Sequence, residues 1–285
     1  MQSNPAPDNG RRLIDQQRLA LAKARARTRL AQIEGADFLL QAIGDDLADR
    51  LGVVARQFSK TLLIAPDHPA IRQAVDARTS GAVHVIDEAA MHDDVLGTDA
   101  RDFDLVVSIG QFHLMDDVPG MLVQLRERMT PDGLLIACVP GADTLANVRQ
   151  AWIGAEAEAS GGAAPRFLPL FDVRSVGGLL QRAGFALPVS DVEPLTVSYG
   201  RLQSVFADLR SMAGGNVLLA SREAPLPRGV WRRLSTWMDT QTAGGARLEV
   251  VFQLIWMSGW SPSADQPKPL KPGSAQVSLA DVLKR

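Results

Sequence analysis

Cysteine is nearly absent from this chain. Cys138 stands alone among 285 residues, so no internal disulfide and no cysteine metal site can form. That fits a reducing compartment, and a cytoplasmic home is expected, or the mitochondrial matrix in a eukaryote. Histidine is scarce too: His68, His84, His92 and His113 are the four present, too few for a histidine-rich metal centre. No apolar run approaches the roughly 20 residues of a membrane-spanning helix, and no secretory leader is expected. An excess of one charge is also lacking: 30 basic residues face 32 acidic ones, a formal net charge of -2. The bulk field offers nothing to a polyanion, and no nucleic-acid partner is expected. Two catalytic signatures are missing. No Gly-x-Ser-x-Gly elbow follows an apolar run, and no phosphate-cradling Walker loop occurs.

What is present is an ordinary globular balance of 46% hydrophobic and 22% charged residues, enough for one large α/β domain or a domain with an appendage. Residues 1–10 are polar and Pro-containing and read as disordered. Residues 11–33 have helical composition and a strongly basic character, carried by Arg11, Arg12, Arg18, Lys23, Arg25, Arg27 and Arg29. This helix is either a solvated basic face or a dock for an acidic partner or an anionic membrane surface. A second helix over 37–58 follows from apolar residues at spacings of three and four, from Phe38 to Val54.

The stretch 103–139 organises the rest. Phe103-Asp104-Leu105-Val106-Val107-Ser108-Ile109 and Leu134-Leu135-Ile136-Ala137-Cys138-Val139 are almost wholly apolar, as strands covered on both faces are. Between them lie a helical run over 117–129 and the turn Pro131-Asp132-Gly133, where proline presets φ and glycine is expected to take a positive one. This is a βαβ unit at the centre of a mostly parallel sheet. Ligands bind beyond the carboxyl ends of such strands, which puts residues 108–117 at the rim of a site. Other strands are expected at 61–65, 82–86, 185–189 and 248–256, and helices at 69–77, 143–159, 172–183, 202–212 and 230–238. Asp172 reads as an N-cap and Gly184 as a helix end. The last segment, 261–285, is Pro-rich and reads as an extended tail. The domain core is then 59–260, with helical insertions near 143–165 and 200–240.

At this point the residues carry a family likeness. The order of elements resembles a class I S-adenosylmethionine-dependent methyltransferase, a seven-stranded Rossmann-like sheet with a reversed final strand and helices on both faces. Within that superfamily the chain resembles the mitochondrial complex I assembly factor 5 family and its bacterial relatives, akin to the malonyl-acyl-carrier-protein methyltransferase of biotin synthesis. The carrying residues are Phe103 to Ser108, His113, Asp117-Val118-Pro119-Gly120, Pro131 to Leu134 and Gly141-Ala142-Asp143-Thr144-Leu145. With them go Asp172-Val173-Arg174, Leu180 to Phe185, Asp208 to Met212, Gly259-Trp260-Ser261-Pro262 and Lys268-Pro269-Leu270-Lys271-Pro272-Gly273-Ser274-Ala275. The last two pieces are the most specific to the assembly-factor branch.

The resemblance implies an S-adenosylmethionine site lined by Ala65, Asp67, Asp87, Ser108 and His113. It also implies a protein substrate or assembly partner; the mitochondrial member is described as an arginine hydroxylase acting on a complex I subunit. The superfamily's cofactor motif is an acid in the first strand followed by Gly-x-Gly-x-Gly. Here Leu63 stands where the acid belongs, and Ala65, Asp67 and Pro69 where the glycines belong. Pro66 and Pro69 remove backbone donors and fix φ, and Asp67 brings a carboxylate toward the ligand's own. Usual binding of S-adenosylmethionine by this loop is therefore not expected. Asp87 or Glu88 is either the acid that grips the ribose or an ordinary strand-end residue. His84, Asp87 and His92 are weighed as a two-histidine, one-carboxylate iron site, but the alternation of the strand already explains His84, and no metal is expected. Trp152, Trp256 and Trp260 read as core or sheet-edge aromatics. Three functions stay open: a complex I assembly-type protein with a degenerate cofactor loop, an active methyltransferase, and a non-catalytic scaffold. No catalytic residue is assigned.

Overall fold

The computed structural model describes residues 12–86, 94–221 and 227–266. Among them, six strands form one sheet in the order β2-β1-β3-β4-β6-β5. The strands are β1 (Phe58–Ile64), β2 (Thr79–Ile86), β3 (Phe103–Ile109), β4 (Met129–Pro140), β5 (Ala186–Tyr199) and β6 (Leu248–Trp260). The first four pair in parallel, and β6 runs antiparallel to both β4 and β5. This is the expected Rossmann-like sheet with a reversed last strand. Six strands are described where the resemblance implies seven, and residues 87–93, between β2 and β3, lie outside the described residues.

The described residues also form eight α-helices: α1 (Gln16–Gln32), α2 (Phe38–Gly52), α3 (Pro69–Asp76), α4 (Val118–Arg126), α5 (Ala146–Ser160), α6 (Val173–Arg182), α7 (Leu202–Ser211) and α8 (Arg228–Gln241). The pleat sorts them. Alternate residues of β3 and β4 go to opposite faces, so Val106, Leu135 and Ala137 pack with α4 and α6. Leu105, Val107 and Ile136 pack with α2 and α3 on the other face. Central strands buried on both faces need apolar residues at every position, which is why they read so clearly. Each such side chain contributes about 1.5–3 kcal/mol when fully buried. A third core joins α5, α7 and α8 to the far ends of β5 and β6 through Val148, Val205, Leu234 and Val250.

Local chemistry sets the boundaries. Asp117 caps α4 by accepting from Gly120 N at 2.8 Å, and Asp172 caps α6 by accepting from Arg174 N and Ser175 N. Gly184 follows α6 with φ of +81°. At the turn into β4 the left-handed residue is Asp132, with φ of +60°, not Gly133. Gly133 is needed for a different reason: a Cβ there would meet Thr130 O at 3.0 Å and Phe103 O at 3.1 Å. β5 is also longer than the expected 185–189. It continues to Tyr199 as a sheet edge, where Pro194 is tolerated because an edge strand has one unpaired side. The expected tail from 267 on and residues 1–11 lie outside the described residues.

Candidate functional site

The carboxyl ends of β1 and β3 lie side by side, with Ile64 in register with Ser108. From this rim the chain leaves β1 through Ala65 to Pro69 and leaves β3 through Gly110 into a short 3-10 turn, Phe112–Leu114. Ala65 and Ser108 are buried, at 6% and 1% exposure, while Asp67 is exposed. Ala65 and Ser108 thus stand at the same end of neighbouring strands, with Ala65 packed on the α2–α3 face, and Asp67 is open to solvent. Asp87, Glu88 and His92 lie outside the described residues. His84 sits exposed on the edge strand β2, its ring 5.5 Å from that of Phe103 in an edge-on contact. Among the described residues no three potential ligands cluster around a metal position.

The loop after β1 is closed by a pair that sequence reasoning missed. His68 is buried and places Nε2 3.2 Å from Oδ2 of Asp37, the residue preceding α2. Pro69 then begins α3. Along this turn Pro66 and Pro69 offer no N–H, and Leu63 presents no acid. Gly110 keeps a glycine-type conformation, with φ of +67° and open space where a Cβ would stand.

Helix α1 covers the rim. Leu13 N and Ile14 N donate to Oδ1 of Asp116 at 2.8 and 3.3 Å. On the other side, Asp15 N donates to Val217 O and Leu219 N to Leu13 O, so the segment bridges the rim and the α5–α7–α8 cap. Asp15 caps α1 through Gln17 N and Arg18 N. The helix then lays Leu19, Lys23 and Ala26 inward at spacings of four and three. Lys23 Nζ donates to Gln111 Oε1 at 3.1 Å, and Gln111 Nε2 donates to Ile109 O at 3.0 Å. Arg18 reaches Ser221 Oγ and Arg29 reaches Ser211 Oγ. The basic helix is thus not wholly solvated, as one sequence reading had it: part of its charge is turned onto the protein. The signal was available, since Lys23 falls on the apolar stripe.

Electrostatics follow burial here. The half-buried His113 has its Nδ1 shut off from solvent without a hydrogen-bond partner. Burial, helped by the Lys23 ammonium, pushes its pKa down to about 3, so the ring is neutral near pH 7. Asp94 accepts from Asp117 N at 2.6 Å and Asp116 N at 3.2 Å. Its pKa is nonetheless raised by burial, which outweighs those bonds. Between α1 and this rim lies a hollow of about 20 Å³, lined by Gln16, Leu19, Lys23, Asp94, Gln111 and Met115. That holds roughly one water; small-molecule pockets run to about 300–1,000 Å³.

Residues 21–188 match the family model described as a methyltransferase domain. A zebrafish (Danio rerio) protein, arginine-hydroxylase NDUFAF5, mitochondrial, is 30% identical over 277 residues, covering 87% of this chain and 83% of that one. The mouse (Mus musculus) protein of the same name is 29% identical, covering 87% and 77%. A malonyl-[acyl-carrier protein] O-methyltransferase of Laribacter hongkongensis is 28% identical over 170 residues, covering 60% of this chain and 55% of that one. Among solved structures, a methyltransferase candidate from Bacillus halodurans superposes with a TM-score of 0.51 at 13% identity, over 77% of this chain and 100% of that one. That likeness speaks for the fold alone.

Proposed function

Since this chain belongs to the methyltransferase-domain family, we propose that it is a complex I assembly-type protein with a degenerate first-strand loop. It acts on or binds a protein partner and does not hold S-adenosylmethionine in the superfamily's usual manner. The observation that carries this reading is the loop from Ala65 to Pro69, with two prolines, a solvent-exposed Asp67 and no acid at Leu63. Similarity to proteins named as arginine hydroxylases supports a protein partner. Mitochondrial relatives support a matrix-type compartment, or the cytoplasm of a bacterium. No described helix is long and apolar enough to cross a membrane, and the exposed Arg25 of α1 leaves a peripheral contact with an anionic surface as part of the proposal.

A second reading, an active S-adenosylmethionine-dependent methyltransferase, is favoured by one observation. Ser108 Oγ is buried at the rim without a hydrogen-bond partner, the kind of orphan a ligand satisfies. Thermal unfolding of the full chain with increasing S-adenosylmethionine separates the two. A ligand at 100 times its Kd raises stability by about 2.7 kcal/mol. The proposal expects no rise in Tm at millimolar ligand; a saturable rise overturns the degenerate-loop reading and favours the second.

A further inference from the structure

Charge is segregated in this molecule. Helices α1, α5, α7 and α8 together carry ten basic residues against four acidic ones, although the whole chain has a net charge of -2. The helices pack in that order, α1 on α7 and α7 on α8, with α8 in turn on α5. Between α5 and α8 runs an open groove of about 540 Å³. Its floor on α5 is small: Gly154 has nothing within 4 Å of the place a Cβ would take. Its wall on α8 offers Arg232, Arg233 and Trp237, with Glu158 as the acid that lines it. Arg233 Nε lies 3.1 Å from Glu158 Oε2 across the groove, in a pair open to solvent, while Arg232 is exposed.

We propose that the α5–α8 groove docks an acidic amphipathic helix of a partner protein. The inference rests on the protein-partner reading above and names that partner's chemistry. The small floor lets a third helix approach two packed ones at normal interhelical distance, and a helix in a groove anchors through residues spaced three and four apart. Trp237, Arg232 and Arg233 are the residue types that dominate interface energies. The sign of the wall selects an acidic occupant and steers its encounter. The chain's own tail does not qualify: residues 267–285 carry Lys268, Lys271, Lys284 and Arg285 against Asp281.

The test uses the full chain and two synthetic amphipathic helices with the same leucine face, one glutamate-rich and one lysine-rich, followed by fluorescence anisotropy. The glutamate peptide is expected to bind at least about tenfold more tightly than the lysine peptide. Arg232→Glu and Gly154→Gln each should weaken it about tenfold or more without lowering Tm, while Arg25→Glu on α1 leaves it unchanged. Gly154→Gln removes the groove without removing charge, so it separates docking from mere attraction. Equal binding of the two peptides, or indifference to Gly154→Gln, overturns the proposal. So does binding of vesicles of anionic lipid, or self-association of the chain, that is lost in both groove variants while the peptide fails to bind. The parent reading fails separately: a Tm rise with S-adenosylmethionine sinks the degenerate loop and leaves the groove result standing.

Discussion

Lys23 Nζ lies 3.1 Å from Gln111 Oε1, and this one bond ties a helix from the start of the chain to the rim of the sheet. Lys23 is 8% exposed and Gln111 is 3% exposed, so the contact is made away from bulk water, where leaving an acceptor unmet costs about 1–3 kcal/mol. Lys23→Met keeps the length of the stem and removes the donor. It should destabilise the protein by about that amount, measured by urea unfolding. Amide exchange along α1 should accelerate more than exchange along β3.

The strap at the head of α1 predicts a more local effect. Asp116 Oδ1 accepts from Leu13 N and Ile14 N, two donors that precede the helix. Asp116→Ala should free residues 13–15 and cost about 1–2 kcal/mol. Hydrogen exchange should show faster turnover at 13–19, with the central strands as protected as before. Uniform loss of protection would mean that the strap supports the whole fold.

His113 makes stability depend on pH. Its folded pKa is depressed to about 3 from an ordinary 6.5. Below 6.5 the unfolded chain binds a proton that the folded chain refuses, so stability rises with pH in this window and is lost as pH falls through it. From pH 7 to pH 5 the loss from this group should be about 2 kcal/mol. Comparing urea midpoints of the native chain and His113→Gln at the two pH values isolates it: the variant should lose correspondingly less on acidification.

Much of this fold was legible, and the parts that were not share a cause. The central β3–α4–β4 unit was readable because burial on both faces demands apolar residues at every position. The cap Asp172 was readable because capping is local, while Asp117, read as the first residue of its helix, turns out to cap it. β5 was cut short because Pro194, Asp191 and Glu193 look unlike a strand, and only its place at the sheet edge makes them acceptable. His68 with Asp37, and Lys23 with Gln111, join residues 31 and 88 positions apart; no local rule reports such pairs. The rim at Ser108 followed from strand logic, whereas Asp67 was assigned by position in a motif, and its exposure to solvent is not something a motif reports.

Gly44 gives a case of two opposed effects. It lies inside α2, where glycine is about 1 kcal/mol less favourable than alanine. A Cβ there would stand 2.5 Å from Ala70 Cβ and 2.8 Å from Ala70 C, and forcing a methyl into such a contact costs about 1–3 kcal/mol. The nearest obstacle is a backbone-anchored Cβ with no rotamer to yield, so the steric term should win. Gly44→Ala should lower Tm, whereas Gly154→Ala in α5, with open space around it, should raise Tm.

The buried ion pair behind the groove allows the sharpest test of energetics. Arg166 Nη2 lies 2.7 Å from Glu156 Oε1, and the two side chains are 12% and 3% exposed. The hydrogen bond from Arg166, followed by its charge, holds the Glu156 carboxyl below its usual range despite burial. Arg166→Met strands a carboxylate in the interior, and removing one partner of a buried pair costs about 3–5 kcal/mol. Replacing both, as Glu156→Met with Arg166→Met, removes the stranded charge and should recover most of that loss. The sign with pH follows. A depressed carboxyl stabilises the fold above its unfolded pKa, and that contribution is lost as pH falls through the folded value. In Arg166→Met the contribution is gone at neutral pH, so acidification should narrow the gap between native chain and variant in a urea titration. A gap that stays constant down to the carboxylate range would mean that Arg166 acts by packing and not by charge.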